Sequence, residues 1–370
     1  MSRIMRSGSV RTGVAVWRRC RRSTPRPTPQ GAPAGCENQW RPHKKTGQHR
    51  DVAVSARPVK YTFAALIPNY NDSAYIAQAL RGALDQTVPY DEIIIIDDGS
   101  TDDSVNVIER LIAGIPQARL YLNDKNTGVL ATLDRGFALA TSTFVHMMSA
   151  NDCYFPCIVE CALRLLARFP DAAMISGNAA LTEAATGKPQ ASLIVRLPQE
   201  EAFVTPREYA ERNRRSPVAF SAGANIVRRD AYYAFGGLDP ELAWHADWFL
   251  YFSIGLIRGF AYAPTPYATH RLEGNNYSSG RFDWRRDKVR LAHLLTVLRE
   301  RYPARGAQFK AAAIFPHYSL RILALTLQKP HRWFITPLFV WRCVGHQCTF
   351  WMKNVLPRRW LMAARALFRL

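Results

Sequence analysis

From Phe63 onward, short apolar runs alternate with stretches whose apolar residues recur at helical spacing. Phe63 to Ile67 is an uninterrupted apolar run, and Ile76, Ala79, Leu80, Ala83 and Leu84 follow it three and four residues apart. Ile93 to Ile96 are four consecutive isoleucines with no polar alternation, which predicts a strand buried on both faces. Val105, Ile108, Leu111 and Ile112 then supply the stripe of a second helix. Arg119 to Leu122 predicts a third strand, with Val129, Leu130, Leu133 and Phe137 on the helix after it. Thr143 to Met148 predicts a fourth strand, Pro156 suits the first turn of the next helix, and Ala172 to Ile175 predicts a fifth strand. Strands that alternate with helices imply an α/β fold with a mostly parallel sheet.

Polar groups cluster where these strands end, and the carboxyl ends of strands are where open α/β sheets bind ligands. The first strand runs into Pro68-Asn69-Tyr70-Asn71-Asp72, the second into Asp97-Asp98-Gly99-Ser100, and the fourth into Ser149-Ala150-Asn151-Asp152. Asn126-Thr127-Gly128 follows the third. Ser100 with Asp103 approximates a capping box for the second helix. Taken singly, each group has a plainer reading: Asp97 and Asp98 as helix caps, Tyr70 as a packed aromatic, Asp247 as a solvated helix charge, His245 and His270 as structural hydrogen-bonders. Cys153, Cys157 and Cys161 are four apart and could share a helical face. Buried free cysteines, however, commonly behave as small apolar residues.

In order along residues 62 to 280, these segments resemble the motifs of the family 2 glycosyltransferases. The resemblance implies a GT-A fold: a Rossmann-like, mostly parallel sheet flanked by helices, here with a C-terminal helical extension. Pro68-Asn69-Tyr70-Asn71 is similar to the family's first motif, whose aromatic residue stacks on the nucleotide base. Asp97-Asp98 is similar to the second, whose latter carboxylate accepts a hydrogen bond from the base. Asn126, Gly128 and the chain to Gly136 resemble the segment near ribose and diphosphate, and Arg271 to Ser278 the late motif that closes over the diphosphate. Ser149-Ala150-Asn151-Asp152 stands at the metal-binding acidic motif, with one carboxylate where the family usually has three. The resemblance therefore implies a divalent cation, Mg²⁺ or Mn²⁺, with Asp152 as ligand and the neutral carbonyl of Asn151 beside it. Gly236-Gly237-Leu238-Asp239 and Ala246-Asp247-Trp248 resemble the acceptor-side motif, which makes Asp247 the general base. Asp134 stands where the family often has asparagine, Leu133 where it often has a basic residue and Glu273 where it often has histidine, and Arg135 or Arg271 could supply the missing diphosphate contact.

Charge changes the picture at both ends. Residues 1–60 hold 14 Lys/Arg against 2 Asp/Glu and residues 307–370 hold 10 against none, so the net +20 of the chain leaves −2 for residues 61–306. The basic character belongs to the flanks, and no nucleic-acid recognition module accompanies it. Residues 1–58, rich in Arg, Pro, Gly and Ser, cannot bury a core and read as a disordered basic segment, with an overextended reading-frame start the favoured explanation. Residues 59–290 read as the catalytic domain and 291–370 as a basic, aromatic helical region. In that region Arg321, Lys329, Arg332 and Arg342 interrupt the apolar clusters, so no run of the roughly 18 or more apolar residues of a membrane span forms. Its tryptophans and arginines suit either helices lying on an anionic membrane or helices packed on the catalytic domain. Seven cysteines without regular spacing point to a reducing, cytoplasmic setting.

The expected function is an inverting, metal-assisted transfer of a sugar from a nucleoside diphosphate to a saccharide or lipid-linked acceptor, in surface polysaccharide or glycan synthesis. Two alternatives are a nucleotide-sugar-binding protein with weakened turnover, suggested by the depleted acidic motif, and a membrane-surface interaction protein, suggested by the basic flanks.

Overall fold

The computed structural model describes residues 61–183, 189–193, 197–216, 218, 220–272, 283–315 and 319–355. In chain order the elements are β1 (Phe63–Asn69), α1 (Ile76–Leu84), β2 (Glu92–Asp97), α2 (Ser104–Ile112), β3 (Ala118–Leu122), α3 (Val129–Leu139) and β4 (Phe144–Met147). Then come β5 (Cys153–Tyr154), α4 (Ile158–Arg168), β6 (Met174–Glu183), β7 (Pro189–Leu193), β8 (Ala202–Val204), α5 (Pro206–Arg215), β9 (Asn225–Arg228) and α6 (Arg229–Ala234). The chain continues through α7 (Ala246–Ile257), β10 (Phe260–Leu272), α8 (Trp284–Glu300), α9 (Pro303–Ala311), α10 (Ser319–Leu327) and α11 (Pro337–Val355). The disordered reading of residues 1–58 and the motif residues Glu273 to Ser278 lie outside the described residues.

The ten strands among the described residues join one sheet, whose main path runs β3-β2-β1-β4-β9-β6-β10-β5. The half that carries the motifs, β3-β2-β1-β4, is parallel throughout. β9 then enters antiparallel to both β4 and β6, whereas β6 and β10 are parallel to each other. Parallel pairing puts the carboxyl ends of β1, β2 and β3 side by side, with Asn69 opposite Asp97 and Asp97 opposite Leu122.

The isoleucine run shows why the sheet needs helices on both sides. Ile94 and Ile96 enter one apolar layer with Phe137 and Phe249, and Ile93 and Ile95 enter the other with Leu80 and Leu165. Alternate residues of a strand face opposite ways, and each fully buried isoleucine stabilises the fold by about 1.5–3 kcal/mol, so a bare face would forfeit half of that gain. The second layer is closed by α1, α2 and α4, and the first by α3, α5 and α7. The first layer also takes in Leu291, Leu294 and Leu298 of α8, Phe309 of α9, Ile322 of α10 and Phe339 of α11.

Several local expectations are corrected. Ser100 does not cap α2: its N–H and hydroxyl donate to Asp97 Oδ1 and Oδ2 (2.8 and 2.7 Å), while Asp102 Oδ1 receives the Ser104 N–H at 3.0 Å. The buried Asp97 carboxylate takes up the serine. Pro156 precedes α4 by two residues, with Cys157 at its N-cap, rather than standing in its first turn. Cys153 lies in β5 and Cys161 in α4, so the three cysteines do not share a helical face. The fifth predicted strand starts two residues late, at Met174, and continues to Glu183.

Candidate active site

Side-chain hydrogen bonds stitch the loops at the carboxyl ends of β1 to β3 together. Asn69 Nδ2 donates to Asp97 Oδ2 (2.7 Å) and Ser100 Oγ (3.2 Å). Asn71, in a left-handed conformation (φ 54°), donates its N–H to Ser100 Oγ and accepts the Thr101 N–H on its side-chain oxygen. Tyr70 lies between these anchors with its side chain 44% exposed, so the aromatic is presented to solvent rather than packed. A fixed backbone under an exposed ring is what a stacking platform requires. Among the described residues Asn69 Oδ1 is buried with no hydrogen-bond donor, an acceptor at the same strand end.

Asp98 organises the next loop. Its Oδ1 accepts from Asn123 Nδ2 (2.6 Å), Thr127 N (2.9 Å) and Thr127 Oγ1 (2.9 Å), and its Oδ2 accepts from Gly128 N (2.8 Å). Burial alone would raise its pKa, but the hydrogen bonds from Thr127, Asn123 and Gly128 outweigh burial and hold the carboxyl below its usual range. A lowered folded pKa means that this carboxylate contributes fully above the unfolded value of about 3.9 and loses its contribution as pH falls through the folded value. Asn126 accepts the same Gly128 N–H on its side-chain oxygen (3.0 Å). Gly99 fits the approach of the two loops: its φ is +74°, and a Cβ there would stand 2.9 Å from Asn126 N. Gly99→Ala is therefore expected to destabilise the protein by about 1–3 kcal/mol, read as a lowered Tm, because it adds both left-handed strain and a backbone clash.

Asp152 follows β4, and its Oδ2 lies 2.5 Å from His270 Nδ1 on β10. His270 Nε2 in turn contacts Ser221 Oγ. Burial would lower the His270 pKa, but Asp152, by hydrogen bond and charge, and Asp247, by charge, raise it above the ordinary value. Asp247 sits in the first turn of α7, where a carboxylate is favoured by the helix dipole, and its Oδ1 accepts the Trp248 N–H at 2.7 Å. His270 is thus hydrogen-bonded to Asp152 and lies within the field of Asp247.

His245 and Asp239 have other duties. His245 Nε2 lies 2.7 Å from Asp287 Oδ1, which also accepts from Trp244 Nε1. Asp239 caps the following turn by accepting the Glu241 N–H. Asp134 receives the Tyr232 hydroxyl, and Arg135 donates to Leu122 O (2.9 Å) and to Asn123 Oδ1. The Arg271 backbone continues β10, and its side chain is outside the described residues.

The family comparison falls on this framework. The model of glycosyl transferase family 2 matches residues 64–236, from the start of β1 to the glycine turn after α6. These residues form a family 2 glycosyltransferase domain. Chondroitin synthase of Escherichia coli is 33% identical to the chain over 97 residues, 26% of this chain and 14% of that protein. An uncharacterised glycosyltransferase of Nostoc sp. is 37% identical over 93 residues, 25% of this chain and 29% of that protein. The chain's matches thus span less than a third of the length of each of these relatives. Among solved structures, residues 1–349 of Staphylococcus aureus TarS with UDP-GlcNAc superpose with a TM-score of 0.54 at 14% identity, covering 83% of this chain and 88% of that one. That likeness identifies the glycosyltransferase fold as GT-A, with a helical C-terminal part.

The structure brings together Asn69, Tyr70, Asn71, Asp97, Asp98, Asn126 and Gly128 on one rim and Asp152 with His270, while Asp247, on α7, acts on His270 through its charge. Pro68 belongs to β1 beneath that rim, and Asn151 is half-buried beside Asp152. Sequence reasoning missed Asn123 and Ser221. Asn123 had a signal, a polar residue directly after an apolar strand, whereas Ser221 meets His270 from 49 residues away with no local mark. Among the described residues no three His, Cys, Asp or Glu side chains form a ready-made metal site. Asp152 bonded to His270 does fit a ligand supported from outside, since ligating carboxylates are commonly hydrogen-bonded in turn.

Proposed function

We propose that this protein is an inverting glycosyltransferase that moves a sugar from a nucleoside diphosphate to a saccharide or lipid-linked acceptor in surface polysaccharide or glycan synthesis. The observation that carries the reading is His270, whose surroundings tie Asp152, on the donor side, to Asp247, on the acceptor side. Tyr70 stacks on the base and Asp98 Oδ2, which among the described residues accepts from Gly128 N, also accepts the base's imino proton. Asn69, Asn71, Asp97, Asn126 and Gly128 hold the rim that carries them, and the diphosphate contact is assigned to Arg271 by its place in the late motif. An acceptor hydroxyl attacks the anomeric carbon from the side opposite the diphosphate, its proton passes to Asp247, and the carbon–oxygen bond to phosphate breaks. The electron pair leaves with the nucleoside diphosphate, and the configuration inverts. UDP-GlcNAc, present in the TarS structure, is the first donor to test. Release of UDP that requires acceptor supports the transferase, and donor binding without release under any acceptor supports the weakened binding protein instead.

A divalent cation, Mg²⁺ or Mn²⁺, would be held by Asp152 and the Asn151 carbonyl, with the donor's phosphates completing the set, and would neutralise the departing diphosphate. Asp152→Ala is expected to abolish UDP-dependent Mn²⁺ binding seen by electron paramagnetic resonance, and Asn151→Asp to tighten it by adding a charged ligand. Equal Mn²⁺ binding in all three proteins would remove Asp152 from the ligand set. The catalytic domain in this reading is residues 59–290, with 291–370 its helical extension, and a lipid-linked acceptor would place the enzyme on the cytoplasmic face of a membrane.

A further inference from the structure

The two faces of α11 do not differ in polarity as those of a surface helix should. Inward, Phe339 and Cys343 are fully buried, and the buried Arg342 donates to the backbone carbonyls of Asn213 and Ala313. Outward, where polar residues are expected, stand Leu338, Trp341 and Val344, spaced three apart and all exposed, Trp341 by 57%. α10, which packs against α11, repeats the anomaly: Ile322 and Leu325 are buried, while Leu320, Ala324 and Leu327, at helical spacing, are exposed. A groove of about 520 Å³ opens at the start of α11, lined by Ile335, Thr336, Pro337, Val340, Trp341 and Val344. Single exposed apolar residues need no explanation, but matching stripes on two adjoining helices do.

Charge indicates what covers them. Residues 307–370 hold ten Lys/Arg and no Asp or Glu, and Arg321, Lys329 and Arg332 are exposed on or between the two helices. Residues 356–370 would bring Arg358, Arg359, Arg365 and Arg369 against this surface, and a second copy would oppose the same basic groups to themselves. Like charges brought together repel, so both covers are disfavoured. A surface that is anionic outside and apolar just beneath satisfies both the arginines and the leucines. We propose that the outward face of α10 and α11 docks the protein on an anionic lipid bilayer, with Leu338, Trp341 and Val344 at the headgroup boundary and the basic side chains on lipid phosphates. Among the described residues no helix is long and apolar enough to cross a membrane, so the contact is peripheral. None of these residues is among those of the donor cleft, and the proposal stands apart from the transferase reading.

The test uses the full chain and co-sedimentation with vesicles of phosphatidylcholine alone or mixed with phosphatidylglycerol. Wild type is expected to bind the anionic vesicles only, and less as salt is raised. Trp341→Glu/Val344→Glu should lower that binding at least about tenfold, and Arg321→Gln/Lys329→Gln roughly fivefold per charge removed. The milder Leu338→Gln serves if the glutamate pair disturbs folding. UDP affinity measured on each variant should not change, which separates a failure here from a failure of the donor site. Undiminished anionic-vesicle binding by the folded Trp341→Glu/Val344→Glu or Leu338→Gln protein would overturn the proposal, as would equal binding to neutral vesicles. A dimer in sedimentation velocity that the glutamates abolish would assign the face to a second copy instead and overturn it too.

Discussion

Asp247→Asn is expected to lower the transfer rate by about 10² to 10⁴ while leaving nucleotide affinity where it was. The substitution keeps the shape of the side chain in the first turn of α7 and an oxygen for the Trp248 N–H, so the helix start survives. What disappears is the basic carboxylate and its field on His270. The rim proposed for the nucleotide is built from β1, β2 and the loop after β3, and its hydrogen bonds run among those segments. Transfer rate and nucleotide affinity measured on the same preparation decide the matter. Near-normal turnover would mean that another group takes the proton, and neither His245, engaged with Asp287, nor Asp239, spent on a cap, is well placed to do so.

Asp98→Ala should be the most damaging change on the donor side, in stability as well as binding. Removing the carboxylate strands the Asn123 amide, the Thr127 N–H and hydroxyl, and the Gly128 N–H at once. Losing hydrogen bonds to a charged acceptor costs about 1.5–3 kcal/mol each when they act alone, so a net loss of about 3 kcal/mol in unfolding free energy is expected after the loop relaxes. Tyr70→Ala offers the contrast: the ring is exposed, so stability should hold while UDP affinity falls by about 1–3 kcal/mol of stacking. Denaturant unfolding and calorimetric UDP titration on both variants give the comparison. Unchanged affinity in both would remove the base-binding assignment, whereas unchanged stability in Asp98→Ala would show that the loop after β3 is held by something else.

Much of this was legible because the relevant signals are local. Four isoleucines in a row fit a strand covered on both faces, and the polar residues that follow each apolar run then gather at one end of a parallel sheet. The destination of Ser100 was not legible. A serine three residues before an acid satisfies the pattern of a cap, and only the burial of Asp97 diverts it. The partnership of Asp152 with His270 was also hidden, since 118 residues separate them and β10 arrives beside β5 only through the sheet order. The surroundings of Asp247 were half visible. Trp248, Phe249 and Leu250 announced one anchored side, but α7 is buried on nearly every side, because helices beyond residue 284 cover what a shorter domain would leave wet.

That covering has a practical meaning for how the chain can be cut. Trp248 and Phe252 pack ring to ring at a tilt of 38°, Phe249 and Phe252 lie against Phe309, and Trp248 meets Phe315, so the helix that carries Asp247 borrows its packing from residues some sixty positions further along the chain. A fragment trimmed to the family's own borders at 64–236 would lack α7 altogether, and one trimmed after β10 would keep it but expose a sheaf of aromatic rings to water. The C-terminal helices are therefore no detachable cassette. Single-residue changes on their outer surface, not truncations, are the tool for dissecting them, and any chimera that transplants α7 into a related protein must carry α8 and α9 with it.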